Sequence, residues 1–324
     1  DVFNETAYTV IVIVPLVTSI FAAVSLRIVV RDWRGSADEQ ERLEREEALS
    51  RNLVVTSSRI LLPSKGEPAS IAAAQLVQFA WPKEAPVTVV SVATDGGAPD
   101  VSVVEAVLDE REVDHRQVRR GDTAASIIAE SKLGYGVIAV GVAARHEGQL
   151  YSPMVDELLL RSTLPVVIVR RARGLDRPLP AAFSRVIVPV TGTRSSRSAQ
   201  EVAFSISSQL GTEVVLTHVF DRTSPLPRIF GRRVGGDESA VGVADELVDR
   251  ALDLARESGL EPRTLVREAA SAGTALVEAA RAEEADLVVL GAQLRNVDGR
   301  PFIGHTVETV LEQSDATVVV VAQP

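Results

Sequence analysis

The sequence predicts an α/β chain with one N-terminal transmembrane helix followed by two doubly wound domains. Each domain is read as a five-stranded parallel sheet with helices on both faces. Three observations carry the prediction. An uncharged run of 20 residues stands near the N-terminus, strand-like and helix-like segments alternate through most of the 324 residues, and Ser58-Arg-Ile-Leu-Leu-Pro63 recurs as Ser184-Arg-Val-Ile-Val-Pro189. The expected division is a transmembrane helix with a basic cytoplasmic flank (1–35), a charged helical connector (36–53), a first domain (54–172), a linker (173–183) and a second domain (184–324). A net charge of -10 and a pI near 5.1 argue against a nucleic-acid surface. Cysteine is absent, which removes disulfides, thiolate metal sites and thiol nucleophiles.

The run from Ala7 to Leu26 carries no charge, and as a helix at about 1.5 Å per residue it matches a bilayer core. Asp1 and Glu5 precede it, while Arg27, Arg31 and Arg34 follow it. The order is opposite to that of a signal peptide and places the carboxyl side in the cytoplasm. Pro15 removes one backbone hydrogen bond in mid-span, where Thr18 and Ser19 can compensate. Met154 is the one methionine, so Asp1 is not expected to be a translation start and the chain is read as a fragment or a processed product. Ser36 and Glu39 form a capping box, and Glu41/Arg45 and Glu47/Arg51 are spaced to pair along a solvated connector helix.

In the first copy, strands are expected at 59–63, 87–93, 114–119, 137–141 and 165–170, with helices at 68–80, 99–109, 122–132 and 154–161. In the second, strands are expected at 185–190, 213–219, 263–268, 286–291 and 317–322, with helices at 196–210, 238–258, 273–283 and 305–313. Such alternation implies right-handed crossovers and parallel sheets. The second copy inserts Phe220 to Gly236, whose Arg228, Arg232 and Arg233 mark a surface loop. The apolar strand 316–322 is read as a sheet edge able to pair with a partner's edge.

The stretch from Gly291 to Glu308 joins a buried strand to a helix start. Backbone amides and the helix dipole at such a junction favour an anion, and glycine lets the backbone approach it. The alternative is that Gly291 and Gly304 only turn the chain. His115, His146, His218 and His305 are scattered, and neither paired carboxylates nor a nucleophile with its base is legible. No catalytic residue, no metal and no enzyme activity is therefore predicted.

Val188-Pro189-Val190-Thr191-Gly192-Thr193, and Gly291 with Gly304 at their spacing, make each copy similar to the universal stress protein domain. The resemblance implies strand order 3-2-1-4-5 and a cleft between the first and fourth strands, where the order reverses. It also implies an adenine nucleotide, ATP or AMP, on Pro189, Thr191, Gly192, Gly291, Arg295, Gly304, His305 and Thr306, and leaves slow ATP hydrolysis open. Two departures stand out: Thr191 replaces the family's aspartate and Leu294 its middle glycine. The first copy departs further. Lys65 holds the aspartate position, and Lys65, Gly66, Gly141, Arg145 and Ser152 are left as a weaker anion site in a domain read mainly as a structural partner.

Val2-Phe-Asn-Glu-Thr-Ala-Tyr-Thr-Val-Ile-Val12, with Thr18-Ser19 and Leu26-Arg27, resembles the last membrane helix of bacterial monovalent cation:proton antiporters. Some of these end in tandem stress-protein domains. The order of parts implies the carboxyl-terminal regulatory portion of an inner-membrane antiporter for Na+ or K+. Its domains would lie in the cytoplasm, and its partners would be the rest of the membrane domain, the lipid bilayer and a second copy in a homodimer. The alternative is a membrane-anchored tandem stress protein that binds nucleotide without transport.

Overall fold

Among the described residues, ten strands lie in one continuous sheet, in the order β3-β2-β1-β4-β5-β12-β9-β6-β7-β8. The computed structural model describes residues 52–92, 99–118, 123–143, 150–173, 179–220 and 240–324. The uncharged run at 7–26, the connector up to residue 51, the inserted arginines and Arg145 fall outside the described residues. Among the described residues no helix is long and apolar enough to cross a membrane.

The first half runs β1 (Ile60–Pro63), α2 (Pro68–Ala80), β2 (Val87–Val92), α3 (Ser102–Val107), β3 (Val113–Val118), α4 (Thr123–Ser131), β4 (Val137–Val142), α5 (Pro153–Arg161) and β5 (Val166–Arg170). The short α1 (Leu53–Thr56) precedes it. The second half runs β6 (Arg185–Pro189), α6 (Arg194–Leu210), β7 (Glu213–Phe220), α7 (Ala240–Glu257), β8 (Arg263–Glu268), α8 (Ala272–Ala282) and β9 (Leu287–Gln293). It continues with β10 (Arg295–Val297), β11 (Arg300–Phe302), α9 (His305–Gln313) and β12 (Thr317–Gln323). Each half keeps the order 3-2-1-4-5, with every pairing of the main sheet inside a half parallel.

The halves meet where β12 pairs antiparallel with β5, through the register Val318↔Arg170, Val320↔Ile168 and Ala322↔Val166. Every residue of both strands is buried. The expected edge strand therefore has its partner within the chain, and the surface predicted for a second copy is consumed internally. The outer strands β3 and β8 alternate partly buried with exposed residues and carry charges, which suits exposed edges.

Two apolar layers cover the two faces, each crossing both halves. One joins Leu76 of α2 and Val104 of α3 to Phe204 of α6 and Leu247 of α7. The other joins Ile127 of α4 and Leu158 of α5 to Leu276 of α8 and Val310 of α9. A sheet buried on both faces selects continuous β-branched runs such as Thr317–Gln323. Asn52–Pro324 accordingly forms one compact unit.

Two elements differ from expectation. The residues after β9 form an antiparallel hairpin of β10 and β11 instead of an open loop. The connector's last residue, Leu53, opens the separate turn α1, whose first free amides Val54 and Val55 are capped by Asn52 Oδ1 at 2.9 and 3.1 Å.

Candidate functional site

Each half opens a cleft at the carboxyl ends of its first and fourth strands because those strands pair only at their beginnings. β6 meets β9 at Val186↔Leu287 and Ile187↔Val288, and β1 meets β4 at Ile60↔Val137 and Leu61↔Ile138. Beyond these pairs the strands separate, as expected where strand order reverses.

The second cleft is a cavity of about 130 Å3 whose lining includes Pro189, Thr191, Ser196, Thr217, Gly291 and Thr306. α6 supplies one wall because Thr193 caps it, its hydroxyl accepting from Ser196 N at 3.2 Å. Ser196 Oγ accepts from Thr191 N at 3.1 Å and donates to Pro189 O at 3.0 Å, tying the end of β6 to that first turn. A row of hydroxyls follows, Thr191 to Thr193 at 3.1 Å and Thr193 to Ser195 at 3.2 Å. The hydroxyl of Thr217 is fully buried with no hydrogen-bond partner, although it lies in the cavity wall. Such a group is expected to find a partner.

The glycines divide by role. A Cβ on Gly291 would lie 2.1 Å from Ser195 O, so glycine is needed there to seat α6 on β9. Gly304 has open space around it and φ 97°, a conformation that favours glycine. It is the N-cap of α9 and supplies no side-chain bond, and among the described residues the amides of His305, Thr306 and Val307 have no acceptor. The helix start that carries these three donors and the dipole's positive end borders the cleft through Thr306. The Glu308 carboxylate sits in the same first turn, 3.3 Å from Nδ1 of the exposed His305, whose ring also meets Phe302 edge-on at 5.0 Å. Gly192, at φ 68°, packs instead against Leu247, whose Cδ2 would be 2.5 Å from an added Cβ.

Of the eight residues expected here, Pro189, Thr191, Gly291 and Thr306 line the cavity, Gly304 and His305 begin α9, and Gly192 lies outside the lining. Arg295 is carried away in β10, paired with Phe302 and exposed. The β10–β11 hairpin rests on α5 of the first half, where Arg300 opposes the upward effect of burial on the Asp156 carboxyl. Ser196 and Thr217 lie outside the motifs read from the sequence, and Thr193 stands in one without having been assigned a role. A lone hydroxyl inside the apolar run Val214-Val-Leu-Thr217 was the available signal.

The first cleft is larger, about 230 Å3, and is lined by Lys65, Ser70, Gly141, Ser152 and Met154 among others. Ser70 Oγ accepts from Lys65 N at 3.4 Å, as Ser196 does from Thr191. Gly141 lies under α2, with an added Cβ 1.7 Å from Ala69 O. Its helix start offers fewer donors: Pro153 has no amide hydrogen and Ser152 Oγ takes Val155 N at 3.5 Å. Gly66 packs on the Asp100 carbonyl. The domain read as a structural partner thus keeps a cleft with Lys65 in its lining but fewer open amides at its helix start.

Residues 182–322 match the model of the universal stress protein family. That stretch runs from β6 to Ala322 in β12 and includes the second cleft, so the family match falls on the half with the open helix start. Among solved structures, the fold resembles a universal stress protein from Archaeoglobus fulgidus DSM 4304, with TM-score 0.56 and 18% identity over 83% of this chain and 99% of that one. It also resembles a functionally unknown protein from Pseudomonas aeruginosa PAO1, with TM-score 0.52 and 16% identity over 84% and 94%. The cytoplasmic domain of a prokaryotic cation chloride cotransporter is similar at TM-score 0.54 and 9% identity over 82% and 95%. All three likenesses span both halves.

Proposed function

We propose that this chain is the carboxyl-terminal regulatory portion of a membrane cation:proton antiporter, whose universal stress protein domain senses ATP or AMP at the cleft between β6 and β9. The observation that carries the reading is the start of α9, where three consecutive amides lie open beside a cavity containing a buried, unpartnered hydroxyl. A cavity of about 130 Å3 is well below the roughly 300 Å3 at which drug-sized ligands are enclosed. A nucleotide therefore inserts its base or sugar near Thr191 and Thr217 and leaves its phosphates on the rim at α9. Thr191 replaces a carboxylate in hydrogen-bonding a ribose.

Attachment to a transporter is supported by the uncharged run at 7–26 and by the cotransporter's cytoplasmic domain having the same fold. On this reading both domains are cytoplasmic at the inner membrane, and the membrane domain's other helices carry the ion. Because β12 is paired with β5, a homodimer must use a surface other than that strand. Regulation requires the ligand to favour one transporter state, typically by about 1–3 kcal/mol. The test is cation-dependent proton flux in vesicles containing the full transporter or a form truncated after Arg34. Regulation predicts that both exchange and that only the full form responds to nucleotide. Loss of all exchange in an inserted, truncated protein would make the domains part of transport itself.

A further inference from the structure

The point where the chain joins the tandem domains is held by both halves at once. Leu53 N donates to Glu201 Oε2 at 2.8 Å, across 148 residues of sequence, and Glu201 belongs to α6 of the second half. The other end of the turn belongs to the first half. Ser57 is 2% exposed and lies so close to Gly136, just before β4, that a Cβ there would be 2.5 Å from Ser57 Cα. Leu53 and Val54 are buried between these contacts. The Glu201 side chain is 1% exposed, and its second oxygen meets Arg197 Nε at 3.2 Å. Burying a carboxylate is costly without such partners, yet both are used to hold a four-residue turn.

The same helix builds the second cleft. Ser196, five positions before Glu201, lines the cavity and binds the end of β6, and Gln200 Nε2 donates to Ser196 Oγ at 3.3 Å. One helix thus joins the cleft wall to Glu201, while Ser57 is held beside Gly136 at the start of β4.

We propose that the turn Leu53–Thr56 is a latch that reports the state of the second cleft to the chain preceding residue 52, with Glu201 as the positioning residue that holds it. The inference rests on the cleft being a binding site only for what moves the latch in nature. The mechanical link is testable without ligand.

The test is amide hydrogen exchange on the full chain. In Glu201→Leu, the amides from Leu53 to Ser57 should exchange at least tenfold faster while those of β12 keep their protection. Ser196→Ala, a change at the cleft, should raise exchange in the same five amides at least threefold. Ser152→Ala, in the other cleft, should leave them as they are. If Glu201→Leu does not fold, Glu201→Gln keeps the volume and an acceptor oxygen and should still give a rise of about threefold. Unchanged exchange at 53–57 in the Glu201 variants, or in Ser196→Ala while Thr191 exchanges faster, would overturn the latch. A chain that takes up no ATP in a separate titration would refute the nucleotide reading and leave these exchange differences in place.

Discussion

Arg111 and Arg170 end two helices from outside them. Arg111, 8% exposed, donates to the carbonyls of Val77, Trp81, Pro82 and Ala85 where α2 stops. Arg170, 2% exposed, donates to Ser314 and Ala316 where α9 stops, so it joins the halves. Burial lowers both guanidinium pKa values, that of Arg170 to about 10. Replacing Arg111 by Met should cost about 3 kcal/mol or more, because several buried carbonyls lose their donors. Lys83→Ala, which removes an exposed pair with Glu110, should stay within about 0.5 kcal/mol; thermal unfolding separates the two. Neither arginine's role was legible, since arginine in a sequence reads as surface. Gly291 was legible but for another reason: its neighbour is the α6 backbone, so Gly291→Ala should destabilise the ligand-free protein by about 1–3 kcal/mol. Glu201 has a titration consequence. Burial, opposed by Leu53 N, Arg197 and Arg194, raises its carboxyl above the ordinary 4.5, so the folded chain holds the proton more tightly than the unfolded chain. The contribution of this group to folding is thus fully present below pH 4.5 and is lost as pH rises through the raised value, while the Leu53 N bond itself favours the ionised form. The thermal stability of the native chain relative to that of Glu201→Gln should therefore fall as pH rises across that window.

At the scale of elements, the pattern of period and punctuation placed nearly everything. The helices at 68–80 and 305–313 and the strand at 263–268 lie where the sequence puts them. α6 starts two residues early because Thr193 caps it. The hairpin was missed although its signal is strong: Asp298-Gly299 lies between short strands, with φ 51° and 78°. Reading those residues as an anion loop hid the turn, and with it the removal of Arg295 from the cleft. Gly299→Val should strain the turn by about 1–2 kcal/mol. Faster exchange confined to 295–302, with β9 and β12 unaffected, is the expected outcome.

For the whole molecule, the repeat revealed two halves and the apolar strand 316–322 revealed an unsatisfied edge. What the sequence did not disclose is that the first half covers it. Residues 52–173 produced alone would expose β5, every residue of which is buried in the whole chain, and should self-associate through that strand. The isolated piece eluting as a monomer at micromolar concentration would contradict this. The joined halves place two clefts in one body, and the central claim is that the cleft with the open helix start binds the nucleotide. Calorimetric titration of the full chain with ATP and with AMP tests this most directly when repeated on Thr306→Val and Ser152→Ala. The account predicts one site per chain, about 3-fold to 10-fold weaker in Thr306→Val through loss of a hydroxyl worth about 1 kcal/mol, and unchanged in Ser152→Ala. No heat with either nucleotide, or a loss in Ser152→Ala equal to that in Thr306→Val, would contradict it.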